Sequence, residues 1–209
     1  HIQQDGTPGL AAVFVSGTFP AFLVAMFTVF PSVCNAIFRT FACVTLDDGT
    51  SWMQSDLSLS CLDPAYTVFS VYAGLMAAAY CIGVPGWYLR LLWPHRQALE
   101  QGDHEDLDEL AFLYDSYRPE VWWFEVFEMG RKVLLTGVAV LVLRGTMSQL
   151  AIGLLVAVLS MLVYAVWSPF DDRATNHFAL ASQLGLIMTL LAGVLVRARS
   201  ALDDGYDED

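Results

Sequence analysis

Long stretches without a charged residue dominate this chain. Residues 7–38, 64–89, 145–170 and 174–196 contain no Asp, Glu, Lys or Arg, and residues 133–143 form a shorter run of the same kind. A helix needs about 20 apolar residues to cross the hydrocarbon core of a bilayer. Four runs meet that length as they stand, and the run at 133–143 meets it only if its span begins near Trp122. Barrel strands alternate in polarity and are about half as long, and a soluble bundle rarely holds several such runs. The pattern therefore predicts an all-α fold, a polytopic transmembrane helix bundle of about five spans. The spans are expected at residues 10–38, 65–93, 121–143 (with an amphipathic lead-in), 146–168 and 175–197. Pro20, Pro31 and Pro85 fall inside two of them, where each removes a backbone donor that neighbouring helices must replace.

The polar segments organise the rest. Residues 39–64 read as an extracytoplasmic loop and 94–120 as a charged cytosolic connector. Residues 198–209 read as an acidic tail, and 1–9, which open on His1 and lack a basic leader, as the cut end of a longer chain. Orientation rests on Lys and Arg, which favour the cytosolic side. The connector and its flanks hold Arg90, Arg96, Arg118, Arg131 and Lys132, five of the ten basic residues. Five spans would then place Arg197 and Arg199 on the opposite side, against the same rule. The short links after the third and fourth spans make the last three helices antiparallel neighbours.

Composition agrees with a membrane protein: 56% hydrophobic, 15% charged, mean hydropathy +0.51. A soluble domain carries about a quarter charged residues. The formal charge of −12 is concentrated in the loops and tail, as solvated acidic runs are. No basic patch exists to displace counterions from phosphates, which excludes a nucleic-acid partner.

The stretch FLYDSYRPEVWWFEVFEMGRKVLL, residues 112–135, carries the most chemistry. Trp122 and Trp123 suit the headgroup boundary, where an indole keeps its N–H wet and its ring apolar. Pro119 suits a first helical turn and Glu120 the positive end of the dipole. Glu125, Glu128 and Lys132 follow at i, i+3 and i+7, on one face, and Glu128 and Lys132 form an i, i+4 pair in the favourable order. Together with Arg131 these charges have two readings. They line an ion pathway, as ionisable groups at membrane depth do, or they snorkel into the interface and anchor the helix.

Two segments resemble a known family: FPSVCNAIFRTFACVTLDDGTSWMQSDLSLSC at 30–61 and LAFLYDSYRPEVWWFEVFEMGRKVLLTG at 110–137. They are similar to the C-terminal membrane region of large algal and protist surface proteins, grouped as a TRP-like C-terminal domain. That domain is loosely related to the fungal TRP-like and flavin-carrier membrane proteins. The resemblance extends over residues 30–196, with Leu-Tyr, Tyr-Arg-Pro, Trp-Trp, Glu and Arg-Lys as its pattern. It implies a multi-pass protein beneath a large extracellular region, with ion-channel activity suggested by kinship.

Other features weigh less. Cys43 and Cys61 bracket the loop expected to face an oxidising compartment, and a disulfide between them is expected. Cys34 and Cys81 read as small apolar fillers. Asp47, Asp48 and Asp56 lack EF-hand spacing, and Asp48-Gly49 reads as a turn. His104 begins HEDLDEL, which is not a zinc-binding HExxH. Asn176 and His177 suit a cap or an interface at the start of the last span. No Ser/His/Asp set, phosphate loop or zinc-spaced cysteine pair occurs, so no enzyme, cofactor or metal site is expected. The expected partners are the lipid bilayer, upstream extracellular or membrane domains of the same chain, and further copies in a homo-oligomer. The expected location is the plasma membrane or an endomembrane. The function class is a TRP-like channel or channel-related transport domain; the alternative is a non-conducting anchor or signal-transmitting module of a large adhesion or receptor protein.

Overall fold

The computed structural model describes residues 10–46, 48–102, 110–138 and 147–206, with backbone alone at 10–17 and 201–206. The fold is mostly helical. Helix α1, Leu10–Arg39, is followed by three short strands: β1 Cys43–Thr45, β2 Ser51–Met53 and β3 Asp56–Ser60. Helix α2, Pro64–Met76, passes through a π-helical segment, Ala77–Ile82, into α3, Gly83–Leu92. The connector holds a 3-10 turn at Trp93–His95, α4 Arg96–Gln101 and α5 Ala111–Tyr114. Helix α6, Phe124–Val133, follows a 3-10 turn at Pro119–Val121 and runs into a second π-helical segment, Leu134–Val138. Helices α7, Met147–Trp167, and α8, Arg173–Tyr206, form an antiparallel hairpin.

Four helices are long and apolar enough to cross a membrane among the described residues: Thr18–Arg39, Pro64–Gln101, Met147–Trp167 and Arg173–Ser200. They match four of the five expected spans. The segment expected to form the third span is helical from Phe124 to Val138 but is not among these four, and its remainder, 139–143, lies outside the described residues, as do 1–9 and His104.

The structure corrects three boundaries. The loop at 39–64 is a three-stranded antiparallel sheet in the order β1-β2-β3, so the fold is not purely α. Register pairs Cys43 with Met53 and Trp52 with Ser60, with a bulge between Trp52 and Met53. Pairing between successive strands and a disulfide stabilise strands too short to be read from local pattern. The second span's helix continues into the connector to Gln101 and ends on Gly102 at φ 75°, a left-handed cap that suits glycine. The last helix likewise runs to Tyr206, well into the expected acidic tail.

Local chemistry explains the ends. Asp63 accepts from Ala65 N at 2.9 Å and Pro64 fills the first turn of α2. Asp172, rather than Asn176 or His177, caps α8 by accepting from Thr175 N at 3.0 Å. Asn176 reaches back to the turn before it, accepting from Phe170 N at 3.1 Å and donating to Phe170 O at 2.6 Å. Asp48-Gly49 forms the expected turn: Gly49 sits at φ 80° and its N–H donates to Leu46 O at 2.9 Å. Pro85 has no N–H for the Cys81 carbonyl, and the preceding π-turn, where Gly83 N–H reaches back to Ala78 O, widens the helix ahead of its ring.

Two ends of the bundle follow from contacts. Phe38, at the end of α1 nearest the sheet, meets Gly137, so the second π-segment finishes on the sheet's side. At the other end Arg118 N donates to Pro169 O at 2.8 Å, which joins the connector to the α7–α8 turn. Arg173 therefore lies on the same side as Arg96 and Arg118. A core of Leu23, Phe30, Tyr88, Leu92, Leu113 and Met129 binds α1, α3, α5 and α6 together, and Tyr88 Oη donates to Leu23 O at 2.8 Å.

Candidate functional site

The amphipathic sequence of α6 turns Glu125 and Glu128 inward, where both are buried. Glu128 accepts two bonds from Arg131, Nε to Oε1 and Nη2 to Oε2, each 2.7 Å. A guanidinium fork matches a carboxylate edge to edge, and the side chains are only 7% and 13% exposed. Lys132 instead reaches Glu125, Nζ to Oε1 at 3.8 Å, and lies 5.9 Å from the centre of the Phe27 ring on α1. The expected Glu128–Lys132 pair is therefore not formed. Arg131 is the better-shaped partner for Glu128, and side chains on a helix lean toward its N-terminus, which carries Lys132 back to Glu125.

Two tyrosines complete the cluster. Tyr117 Oη donates to Glu125 from the connector, and its ring packs 5.2 Å from Phe124 and 5.3 Å from Phe170. Burial, and then the nearby Glu125 carboxylate, push the Tyr117 hydroxyl far above its ordinary range, so it remains a donor. From α7, Tyr164 comes close to Glu128 and sets its ring edge-on to Phe124 at 4.9 Å. The cluster thus joins the connector, α6 and α7, and touches α1 through Phe27. Two carboxylates face two cations, and the Tyr117 hydroxyl adds a donor to Glu125. Such an arrangement is held by mutual compensation, because an unpaired buried charge is costly.

Trp122 departs from the interfacial expectation. Trp122 is buried among protein side chains and meets Trp93 edge-on at 6.2 Å, so it packs inside the connector. Trp123 is half-buried, edge-on to Trp167 at 5.5 Å. The helix begins only at Phe124, after Pro119–Val121 forms its own 3-10 turn, so both indoles precede it.

Cys43 and Cys61 form the expected disulfide, with Cα atoms 6.4 Å apart across 18 residues of sequence. Tyr66 of α2 lies 3.3 Å from Cys43 Sγ and donates to Thr40 O at 3.2 Å. The stapled sheet is thereby fastened to the ends of both α1 and α2. Cys34 and Cys81 are buried and free.

Sequence reading missed Tyr117 and Tyr164. Tyr117 lay within the stretch that attracted attention, but its partner is eight residues away across a turn. Tyr164 is an isolated hydroxyl in an apolar run, and only the fold shows what it meets.

No protein family matches the chain, and no solved structure matches it. The chain is similar to Cysteine repeat modular protein A of Toxoplasma gondii, 24% identical over 178 residues, which is 78% of this chain and 6% of that protein. The chain therefore spans a small fraction of its relative's length.

Proposed function

We propose that this chain is the membrane-embedded, signal-transmitting anchor of a much larger modular protein. The observation that carries the reading is the closed charge cluster of Glu125, Glu128, Arg131 and Lys132. Every member has an opposite partner, so no uncommitted carboxylate stands ready to strip water from a permeating cation. Two further observations support it. The link between α7 and α8, residues 168–172, is too short to hold a re-entrant pore loop. The similar protein is by its name built of cysteine repeat modules, and this chain corresponds to 6% of it.

In this reading α1, α2–α3, α6, α7 and α8 cross the bilayer, the connector faces the cytosol and the stapled sheet faces outward or lumenally. Force on the sheet enters α1 and α2 together through Cys43–Cys61 and Tyr66. It passes to α6 through Phe27 and Phe38, and reaches the connector through Tyr117. The second reading, a TRP-like channel or transport domain, draws on the resemblance and on ionisable groups at membrane depth. Ion-flux measurement on the full-length protein in liposomes separates the two. The anchor reading expects flux equal to protein-free liposomes. Flux above that of protein-free liposomes would overturn it in favour of the channel.

A further inference from the structure

The turn joining α7 to α8 walls a polar cavity at the connector end of the bundle. The cavity measures about 430 Å³, within the size range of small-ligand sites. Its polar lining comes from three elements: Arg118 of the connector, Ser168 and Asp171 of the turn, and Arg173, Asn176 and His177 of α8.

The charges on these walls are only partly matched. Arg118 pairs with Glu120 at 3.3 Å and its Nη1 donates to Trp167 O at 3.4 Å. Asn176 is held by the Phe170 backbone, and neighbouring Asp172 by Thr175. Asp171 and Arg173 carry opposite charges two residues apart and both line the cavity. Yet among the described residues neither side chain forms an ion pair or a hydrogen bond, and nor do the Ser168 hydroxyl and the His177 imidazole. The cavity therefore presents one cation and one anion that do not satisfy each other, with further hydrogen-bonding groups beside them. Apolar surface borders it. Val166 and Trp167, immediately before Ser168, and Phe178, immediately after His177, are all exposed. A polar cavity beside exposed apolar side chains, at the end of two apolar helices, suits an amphiphile rather than a soluble ion.

We propose that this cavity receives the headgroup of phosphatidylethanolamine, a zwitterionic phospholipid with a primary ammonium. The site rests on the reading of α7 and α8 as membrane-crossing helices. Arg173 takes the phosphate, with the Ser168 hydroxyl and the His177 ring as further donors, and Asp171 accepts from the ammonium. The charge balance selects the class. Arg118 and Glu120 compensate each other, so Arg173 and Asp171 are left as one positive and one negative charge. A headgroup with one of each matches them. Choline has no N–H to give Asp171, and a glycerol headgroup brings the phosphate without a cation for that carboxylate. A serine headgroup adds a second negative group for which the cavity holds no free cation.

The test uses full-length protein in liposomes carrying a trace of headgroup-photoreactive phosphatidylethanolamine or of photoreactive phosphatidylcholine. The ethanolamine probe should label peptides containing the turn, residues 168–172, more strongly than the choline probe. Arg173→Gln should lower that labelling about fivefold, the effect of losing one partly exposed charge contact. Asp171→Asn should reduce the ethanolamine probe to the level of the choline probe. Both side chains are exposed, so neither change disturbs the core. Arg90→Gln removes a cation on the same side but outside the cavity and should change nothing. Equal labelling of the turn by the two probes, or ethanolamine labelling indifferent to both cavity substitutions, overturns the site. Displacement by phosphatidylglycerol as effective as by unlabelled phosphatidylethanolamine overturns the headgroup class. Displacement by soluble phosphoethanolamine to the same degree overturns the lipid source. If the choline probe fails to label the exposed face of Pro64–Gln101, the membrane reading on which the site depends is overturned instead.

Discussion

Arg131 grips Glu128 through two hydrogen bonds of 2.7 Å inside the bundle, three residues away on the same helix. The pair is buried enough that neither charge has water to fall back on. Glu128→Gln and Arg131→Gln should each destabilise the protein by about 3–5 kcal/mol, and the double substitution should recover much of the loss. Lys132 is 39% exposed, so Lys132→Gln should cost about 0–1 kcal/mol. Thermal unfolding in detergent reads all four variants. A coupling between Glu128 and Lys132 as large as that between Glu128 and Arg131 would show that the pairing described here is wrong.

Gly137 leaves space for a ring. A Cβ there would lie 2.7 Å from Cε2 and Cζ of Phe38, well inside contact distance. Gly137→Ala should therefore destabilise by about 1–3 kcal/mol through overpacking. Combining it with Phe38→Leu should restore stability relative to the single glycine change. Unfolding midpoints of the two single variants and the double give the answer; additive losses would mean that the two helices separate freely at that level.

The disulfide gives a covalent prediction. Non-reducing peptide mapping should recover Cys43 and Cys61 as one linked species and Cys34 and Cys81 as free thiols. Closing a loop of this size is worth about 3 kcal/mol in the chain-entropy model. Cys43→Ser with Cys61→Ser should lower stability by about that amount while leaving the helical content intact.

Sidedness is testable by labelling. Gln101→Cys, at the end of α4, should react with an impermeant maleimide only after the membrane is permeabilised. Reaction in intact cells would invert the orientation proposed above.

The sheet should loosen in acid before the helices do. Asp48 is held below the usual carboxylate range by hydrogen bonds from the Thr50 hydroxyl and backbone, and Asp56 by the same groups of Ser58. A depressed folded-state value means the stabilisation is complete above the unfolded value, about 3.9, and is lost as pH falls through the folded one. Trp52 Nε1 donates to Thr50 Oγ1 at 2.8 Å, so its indole resonance reports the change. It should move only below about pH 4, and Asp48→Asn should abolish the movement.

Hydropathy alone determined the helical class and where four apolar helices run, because the cost of exposing backbone in hydrocarbon makes long uncharged runs helical whatever their neighbours. Turn and staple chemistry was equally local: Asp48-Gly49 needs only a left-handed position, and Cys43 and Cys61 only a polar loop between them. The tertiary structure alone decided the pairing within the charge cluster. Glu128 stands at helical spacing from both Arg131 and Lys132, and the choice between them depends on guanidinium geometry and on Tyr117 and Tyr164 arriving from other elements. It likewise turned Trp122 away from an interface and onto Trp93. It also set short strands in a segment whose pattern is merely polar. The charge pairing and the packing of Trp122 depend on neighbouring elements, and the strands on pairing across turns, none of which a local periodicity encodes.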